Sequence, residues 1–400
     1  MFRDLLERLH QFRRQQRRRR QQADLDRTDA AALATQAPPN PARLLVVRND
    51  SIGDYLLYRP WLRRLGEVAR QRGQRLTLVA NSLWAPLARA WDADLVAEVY
   101  AVDFGRFSTD LSYRAEVLRE LGAVGFGEVV YPVHVREAAV ENFIRFLRAP
   151  GRLASQGEHR TGPWFAALDA GYTRRLPATR AVLFEYDRNR EFFEHWLAAS
   201  GTLPLSFAPT TPLVLPATVR AAGAAEAAGG PYVVLFPGAS AARKRWPARH
   251  FARLAQGLRQ RYGSSYRLVL AGSPADQPHA RQIMKLAGPG VALDNRCGQT
   301  DLPGLAALIA GARLLISNDT VAAHLAAQAG TPALVLLMGE NYGKFFPYPP
   351  ALLQAPCRCL FPPGQEARLA RGEFGPPAQD PDISQIEPAR VLAAAAELLG

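Results

Sequence analysis

Three short stretches of this 400-residue chain gather side chains able to take a proton or hold an anion. In the first, the apolar run Leu44–Val47 leads into Arg48-Asn49-Asp50-Ser51-Ile52-Gly53-Asp54, where a helical pattern begins. A carboxylate at a strand-to-helix turn faces a substrate crevice, and Gly53 lets a ligand approach the backbone. Asp54 could equally be a first-turn acid that complements the helix dipole. In the second, the apolar run 232–236 is followed by Pro237-Gly238-Ala239-Ser240 and then Arg243-Lys244-Arg245-Trp246-Pro247. The backbone at Gly238, the Ser240 hydroxyl and three consecutive cations suit phosphate oxygens. A solvated charged loop is the plainer alternative, and Pro247 needs no more explanation than a first-turn position. In the third, Ser317-Asn318-Asp319-Thr320 closes one strand and opens the helical Val321–Ala326. The unpaired N–H groups of a helix start, with the Thr320 hydroxyl beside them, favour an anion. Capping alone would also account for Asp319 and Thr320. His324, one turn on, either reaches the same site or is a buried histidine.

The elements that must position these residues alternate. Strands are expected at 44–48, 76–80 and 128–133, with helices at about 53–69 and 187–199. After a connector at 203–230, rich in Pro, Ala and Gly, a second series follows. It places strands at 232–236, 267–271, 313–317 and 333–338, and helices at 249–262, 276–287 and 320–329. Strands separated by helices imply parallel sheets covered on both faces, here two Rossmann-like α/β domains with a cleft between them. The expected divisions are a basic tail and linker at 1–42, a first domain at 43–215, a linker at 216–230 and a second domain at 231–385. Residues 386–400 are expected as a final helix that returns to the first domain. Residues 348–380, rich in proline, read as irregular.

Composition narrows the classes. Hydrophobic residues make up 48% and charged residues 21%, which excludes a wholly disordered chain, and two domains fit the length. Three cysteines, Cys297, Cys357 and Cys359, point to a reducing compartment and exclude a disulfide scaffold. The basic start has no apolar segment behind it, so a cytoplasmic protein is expected rather than a secreted one. Of the formal +13, an excess of six falls in residues 1–20, where eight arginines face Asp4 and Glu7. Phe2, Leu5, Leu6, Leu9 and Phe12 form an apolar stripe there, suited to an anionic membrane surface or to packing on the protein itself. Nucleic acid is the weaker expectation for that segment. Asp92-Ala93-Asp94 spells a metal-binding D-x-D, but it follows a helical stretch and reads as a helix end. Cys357-Arg358-Cys359 cannot complete a four-thiolate site with one distant cysteine.

Taken together, the three constellations resemble glycosyltransferase family 9, the lipopolysaccharide heptosyltransferases. The family's SxGD turn, PG(A/S)S…K-x-W-P loop and (N/S)D(T/S)…H segment are matched by Ser51–Asp54, by Pro237–Ser240 with Lys244–Pro247, and by Asn318–His324 with Gly330-Thr331-Pro332. The resemblance runs from about residue 43 to 399. It implies a GT-B fold and inverting, metal-independent transfer of heptose from an ADP-activated donor to a lipopolysaccharide inner-core acceptor, with no cofactor. It implies Asp54 as general base and Lys244 as the cation neutralising the departing diphosphate. Gly238, Ser240, Asp276, Asp319, Thr320 and His324 are implied at the donor, and Ser51 and Gly53 stand in the acceptor-side turn. Arg136 and Arg145 are expected either to bind an anionic acceptor or to line a solvated helix face. Val321 departs from the family's usual glycine, and Tyr131–Arg136 from its usual acceptor segment. Another nucleotide sugar, a protein acceptor or a catalytically idle membrane-associated scaffold are the rival readings.

Overall fold

The computed structural model describes residue 16 and residues 19–158, 162–201, 212–373 and 381–400. The chain divides into two compact units: residues up to 181 with 186–204, and 182–185 with 205–400. The first unit opens with helix α1 at residues 19–32. It continues through β1 (Arg43–Arg48), α2 (Ile52–Gln71), β2 (Arg75–Asn81), α3 (Ala85–Trp91), β3 (Val96–Val102), α4 (Phe104–Thr109) and α5 (Leu111–Gly122). Then come β4 (Glu128–Tyr131), α6 (Ala138–Phe146), β5 (Gly151–Ser155), α7 (Pro163–Asp169), β6 (Arg174–Leu176) and α8 (Glu185–Ala199). Every pairing is parallel, and the strand order is β3-β2-β1-β4-β5-β6. Central β1 is buried at five of its six residues, as expected for a strand covered by helices on both faces.

The second unit repeats this plan with α9 (Ala217–Ala227), β7 (Tyr232–Phe236), α10 (Ala248–Tyr262), β8 (Arg267–Leu270), α11 (Gln277–Ala287), β9 (Leu293–Asn295) and α12 (Leu302–Ala310). It closes with β10 (Leu314–Asn318), α13 (Val321–Ala329), β11 (Ala333–Leu336), β12 (Cys357–Leu360), α14 (Pro363–Ala370) and α15 (Pro388–Leu399). Its sheet, β12-β11-β10-β7-β8-β9, is again all parallel and has the same connectivity counted from its first strand. In each sheet the order reverses beside the first strand, between β1 and β4 and between β7 and β10. Loops that leave such neighbours in opposite directions open a crevice at the strands' carboxyl ends.

Four boundary expectations are corrected. Residues 19–32 are not a linker, because Leu25, Ala32 and Leu33 are buried and Asp29 is fully enclosed. Arg114 of α5 clasps Asp29 with both ends of its guanidinium, Nε to Oδ1 at 2.5 Å and Nη2 to Oδ2 at 2.6 Å, and Asn142 of α6 adds a third bond at 2.6 Å. The expected linker at 216–230 is largely α9, which packs against α12 so closely that a Cβ on Gly223 would lie 2.8 Å from the Gly311 nitrogen. The last helix does not leave the second unit. Val391, Ala394, Ala395 and Leu399 of α15 join the core built with Phe251, Leu254 and Leu258 of α10, and Trp246 Nε1 donates to the Ile386 carbonyl at 2.8 Å. The stretch 348–380 is not wholly irregular, since it holds β12 and α14. The amphipathic stripe expected from Phe2 to Phe12 lies outside the described residues.

Replacing Arg114 with Met should destabilise the protein by about 3–5 kcal/mol in urea unfolding, because Asp29 is left buried without its counter-charge. Adding Asp29→Leu should recover much of that loss. A single variant as stable as the parent would show that the clasp carries no such weight.

Candidate functional site

The first unit's crevice is built around the end of β1. Arg48 is fully buried, donates to Asn189 Oδ1 of α8 at 2.9 Å, lies 4.1 Å over the Tyr58 ring and pairs with Asp50. Across the reversal point, the Tyr131 hydroxyl of β4 donates to Asn49 Oδ1 at 3.0 Å and accepts from the Glu137 N–H at 3.1 Å. The turn's backbone is pinned from the β2–α3 side. Asn81 Nδ2 donates to the Asn49 carbonyl at 3.0 Å, and Trp84 Nε1 to the Asp50 carbonyl at 2.9 Å. Trp84 is itself immobilised, fully buried and stacked 4.5 Å from Tyr55.

On this fixed turn, Asp54 is the third residue of α2 and forms a capping box with Ser51. Its Oδ2 accepts from the Ser51 N–H at 3.2 Å and from the Ser51 hydroxyl. These are the bonds of a helix-capping acid, and they also fix the direction of the carboxylate. Asp50, which the motif alone did not single out, is strongly perturbed. Burial pushes its carboxyl up to about 7, against the pull of Arg48 and with a further rise from the Asp54 charge. Its Oδ1 is buried without a hydrogen-bond partner. Burial also raises Glu137, partly offset by its bond to Asn49. A sequence signal for Asp50 did exist: an acid two residues after an arginine in an apolar strand has that arginine as its nearest partner.

Arg136 and Arg145 are not brought to this turn as free cations. Arg136 is enclosed and pairs with Glu141 at 2.9 Å and Asp169 at 2.7 Å, while Arg145 pairs with Asp26 of α1. Both guanidiniums thus brace the first unit internally. Asp92 is likewise fully buried, bound by Arg59 at 3.0 Å, by Arg63 at 3.2 Å and by the Tyr55 hydroxyl at 2.6 Å. The D-x-D spelling is a helix end, as its place after α3 implied.

In the second unit the other two motifs meet at the β7/β10 reversal, joined by Asn318. This residue is fully buried. Its Nδ2 donates to the carbonyls of Pro237 and Gly238 at 2.9 and 3.1 Å, and its Oδ1 accepts from the Trp246 N–H at 3.1 Å. One amide thus holds the Pro237–Ser240 loop, the basic loop and the start of α13 together. Lys244 lies 3.3 Å from Asp319 Oδ2 and 3.7 Å from Glu340 Oε2. Thr320 caps α13 by accepting from the Ala322 N–H, and its hydroxyl lies 3.0 Å from that of Ser317. Asp276 caps the next turn by accepting from the Ser273 N–H at 2.9 Å, and it lies directly behind Gly238. A Cβ on Gly238 would come within 2.6 Å of the Asp276 carboxylate, so only glycine permits this approach. His324 is buried, its Nδ1 2.7 Å from the Tyr348 hydroxyl and its ring packed on Phe346. Ser240 is exposed on the loop beyond Gly238. Sequence reasoning missed Glu340 and Tyr348, which lie in the stretch after β11 where no motif marks them.

Comparisons with known proteins bear on this arrangement. Residues 187–354 match the model of glycosyltransferase family 9 (heptosyltransferase), a span that includes the second unit's three loops but not the Ser51–Asp54 turn. A lipooligosaccharide heptosyltransferase 2 of Haemophilus ducreyi is 37% identical over 121 residues, covering 29% of this chain and 34% of that protein. A lipopolysaccharide heptosyltransferase 1 of Pseudomonas aeruginosa is 31% identical over 155 residues, covering 35% and 41%. The alignments thus span between a third and two fifths of these relatives' length. Among solved structures, a family 9 glycosyl transferase from Veillonella parvula matches with a TM-score of 0.65 at 20% identity, over 91% of this chain and 99% of that one. The Escherichia coli heptosyltransferase WaaC with ADP-2-deoxy-2-fluoro heptose matches at 0.63 and 19%, over 89% and 99%. At these identities the structural likeness carries the two-domain fold of the heptosyltransferases.

The Asp50 environment has a direct consequence. In protein labelled at the aspartate carboxyl carbon, one resonance should titrate near pH 7 and be missing from Asp50→Asn. In Asp54→Asn its midpoint should move down, because the neighbouring anion that opposes ionisation is gone. The native carboxyl holds its proton more tightly than an unfolded one at 3.8, so ionisation lowers stability as pH rises from 3.8 to about 7. A spectrum with no aspartate titrating above pH 6 would contradict the burial argument.

Proposed function

We propose that this chain, a member of glycosyltransferase family 9, is an inverting enzyme that moves heptose from ADP-heptose to a lipopolysaccharide core or related acceptor. The observation that carries the reading is that all three motifs fall at the reversal points of their two sheets, where the fold concentrates ligand chemistry. In this reading the first unit supplies the base and the second the donor cradle.

Asp54 takes the proton of the acceptor hydroxyl as its oxygen forms the new bond to the anomeric carbon. The bond to the diphosphate breaks on the opposite face, which inverts that carbon. Ser51 supports the role by holding one carboxylate oxygen, so the other is presented in a fixed direction. Negative charge grows on the departing diphosphate, and Lys244, the start of α13 and the Thr320 hydroxyl are the groups placed to meet it. Stabilising charge that develops only in the transition state raises the rate more than it raises affinity. Asp319, 3.3 Å from Lys244, sets the ammonium's direction. The backbone at Gly238 with Asp276 behind it suits the nucleoside, and His324 buttresses the base of α13 from the Tyr348 side.

A lipid-linked acceptor places the work at the inner face of the cytoplasmic membrane, and the arginine-rich residues 1–20 would add attraction to anionic lipid. Among the described residues no helix is long and apolar enough to cross a membrane. Val321, where the family pattern has glycine, adds a side chain at the head of α13, which favours a donor other than ADP-heptose as the second reading. Thermal unfolding with ADP, UDP, GDP and CMP distinguishes the two, since a ligand at 100 times its dissociation constant stabilises by about 2.7 kcal/mol. Stabilisation by ADP alone supports the first reading, and preference for another nucleotide supports the second.

Asp54→Asn should lower kcat by about 100-fold to 10,000-fold while ADP affinity stays near that of the parent. Lys244→Ala should weaken both. Nucleotide release in the presence of acceptor measures the first effect and calorimetry the second; an Asp54→Asn variant with most of its turnover would remove the base assignment.

A further inference from the structure

Two cations of the second unit's basic loop are already paired. Lys244 and Arg243 from the basic loop face two carboxylates, Asp319 at the end of β10 and Glu340 in the turn after β11. Asp319 is fixed, because it follows the buried Asn318 directly. Glu340 is held differently. It sits between Gly339 and Gly343, both in the left-handed region at φ 87° and 78°, on a four-residue turn (339–342) closed by the Tyr342 N–H to the Gly339 carbonyl at 3.2 Å. The turn is backed by Gln365, whose amide would lie 2.6 Å from a Cβ on Gly339. From that anchored turn the Glu340 side chain reaches across to both cations, only 27% exposed, with Lys244 at 16%.

We propose that Glu340 is a built-in competitor of the diphosphate: it occupies Arg243 and Lys244 when the site is empty and returns to them as the nucleoside diphosphate product leaves. The inference rests on the donor reading above. A diphosphate and a carboxylate are both oxyanions that take the same N–H donors, so the two cannot hold Lys244 and Arg243 at once. Breaking the two ion pairs subtracts from the affinity of every diphosphate. The subtraction is useful at the end of the cycle, when the product carries more negative charge than the sugar nucleotide and would otherwise remain on the cations. Asp319 does not serve the same purpose, since its main chain is fixed at the end of the strand. Glu340 reaches the cations by a longer side chain from a loop, and it contacts the more exposed Arg243 as well.

Calorimetric titration of the full chain with ADP and, separately, with inorganic pyrophosphate tests this in the parent, Glu340→Gln and Glu340→Asp. Glu340→Gln keeps the shape and removes the charge, so both ligands should bind about threefold to tenfold more tightly at low salt. The difference should shrink at high salt, because the lost contact is a partly exposed ion pair. Glu340→Asp keeps the charge and should stay nearer the parent. Equal or weaker binding by Glu340→Gln, with ADP still bound by the parent, would overturn the competitor role and leave the donor reading intact. Tightened pyrophosphate with no ADP binding by any variant would support the competitor role and overturn the donor reading. Absence of binding by either ligand to any variant would overturn both.

Discussion

In each unit the sheet reverses direction beside its first strand, and the chemistry of the chain depends on that reversal. Loops leaving β1 and β4, or β7 and β10, part from one another because their crossover helices lie on opposite faces of the sheet. The gap exposes backbone groups that would otherwise be covered, so the residues at the strand ends must satisfy them. Both units answer with a buried asparagine. Asn49 at the end of β1 accepts from Tyr131 on the neighbouring strand, and Asn318 at the end of β10 ties down Pro237, Gly238 and Trp246. An amide carries both donors and an acceptor without charge, so it can cross-link two loops without the desolvation cost of an ion. Asp54, Lys244, Asp319 and Thr320 inherit their positions from these bridges.

The two crevices differ in how charge is balanced, and this difference matches their proposed tasks. In the first, Asp50 pairs with one buried guanidinium and feels the Asp54 charge, and enclosure favours the protonated form of Asp50. In the second, cations and carboxylates alternate through Arg243, Glu340, Lys244 and Asp319. These four charges balance, so in the proposed donor role an arriving anion exchanges ion pairs instead of entering a strongly positive field.

The fold and the three motifs were legible because they rest on local signals. Central strands such as 44–48 and 232–236 are short apolar runs between helical patterns, and the structure places β1 and β7 there. The strands not anticipated, β3, β5, β6, β9 and β12, lie at or next to sheet edges. Gly151–Ser155 and Arg174–Leu176 are polar or very short, and what makes them strands is a neighbour far away in sequence. Helix α1 was concealed for a related reason. Its buried stripe of Leu25, Asp29 and Ala32 includes a carboxylate, and partners 85 and 113 residues on, Arg114 and Asn142, make burying Asp29 tolerable. Glu340 and Tyr348 were equally hidden, as their partners arrive through the sheet and not along the chain.

The same logic explains why the chain's basic character is a poor guide to its ligands. Arg114, Arg136, Arg152 and Arg188 lie in the first unit, and each spends its guanidinium on internal acceptors. Arg152 donates to the carbonyls of Gly171 and Ala149 at 2.7 and 2.6 Å, and Arg188 to those of Thr179 and Ala181 at 2.9 and 2.7 Å. A planar fork of five donors suits this bracing better than an ammonium does, because it joins several carbonyls and carboxylates from one position. The chain contains very few lysines, and the one in the basic loop, Lys244, faces two carboxylates in the crevice instead of bracing carbonyls. A compact, mobile point charge serves a group that must release one anion to take another. Arginine braces the walls of the first unit, and in the proposed donor site the one lysine of the basic loop is the compact charge that would exchange one anion for another.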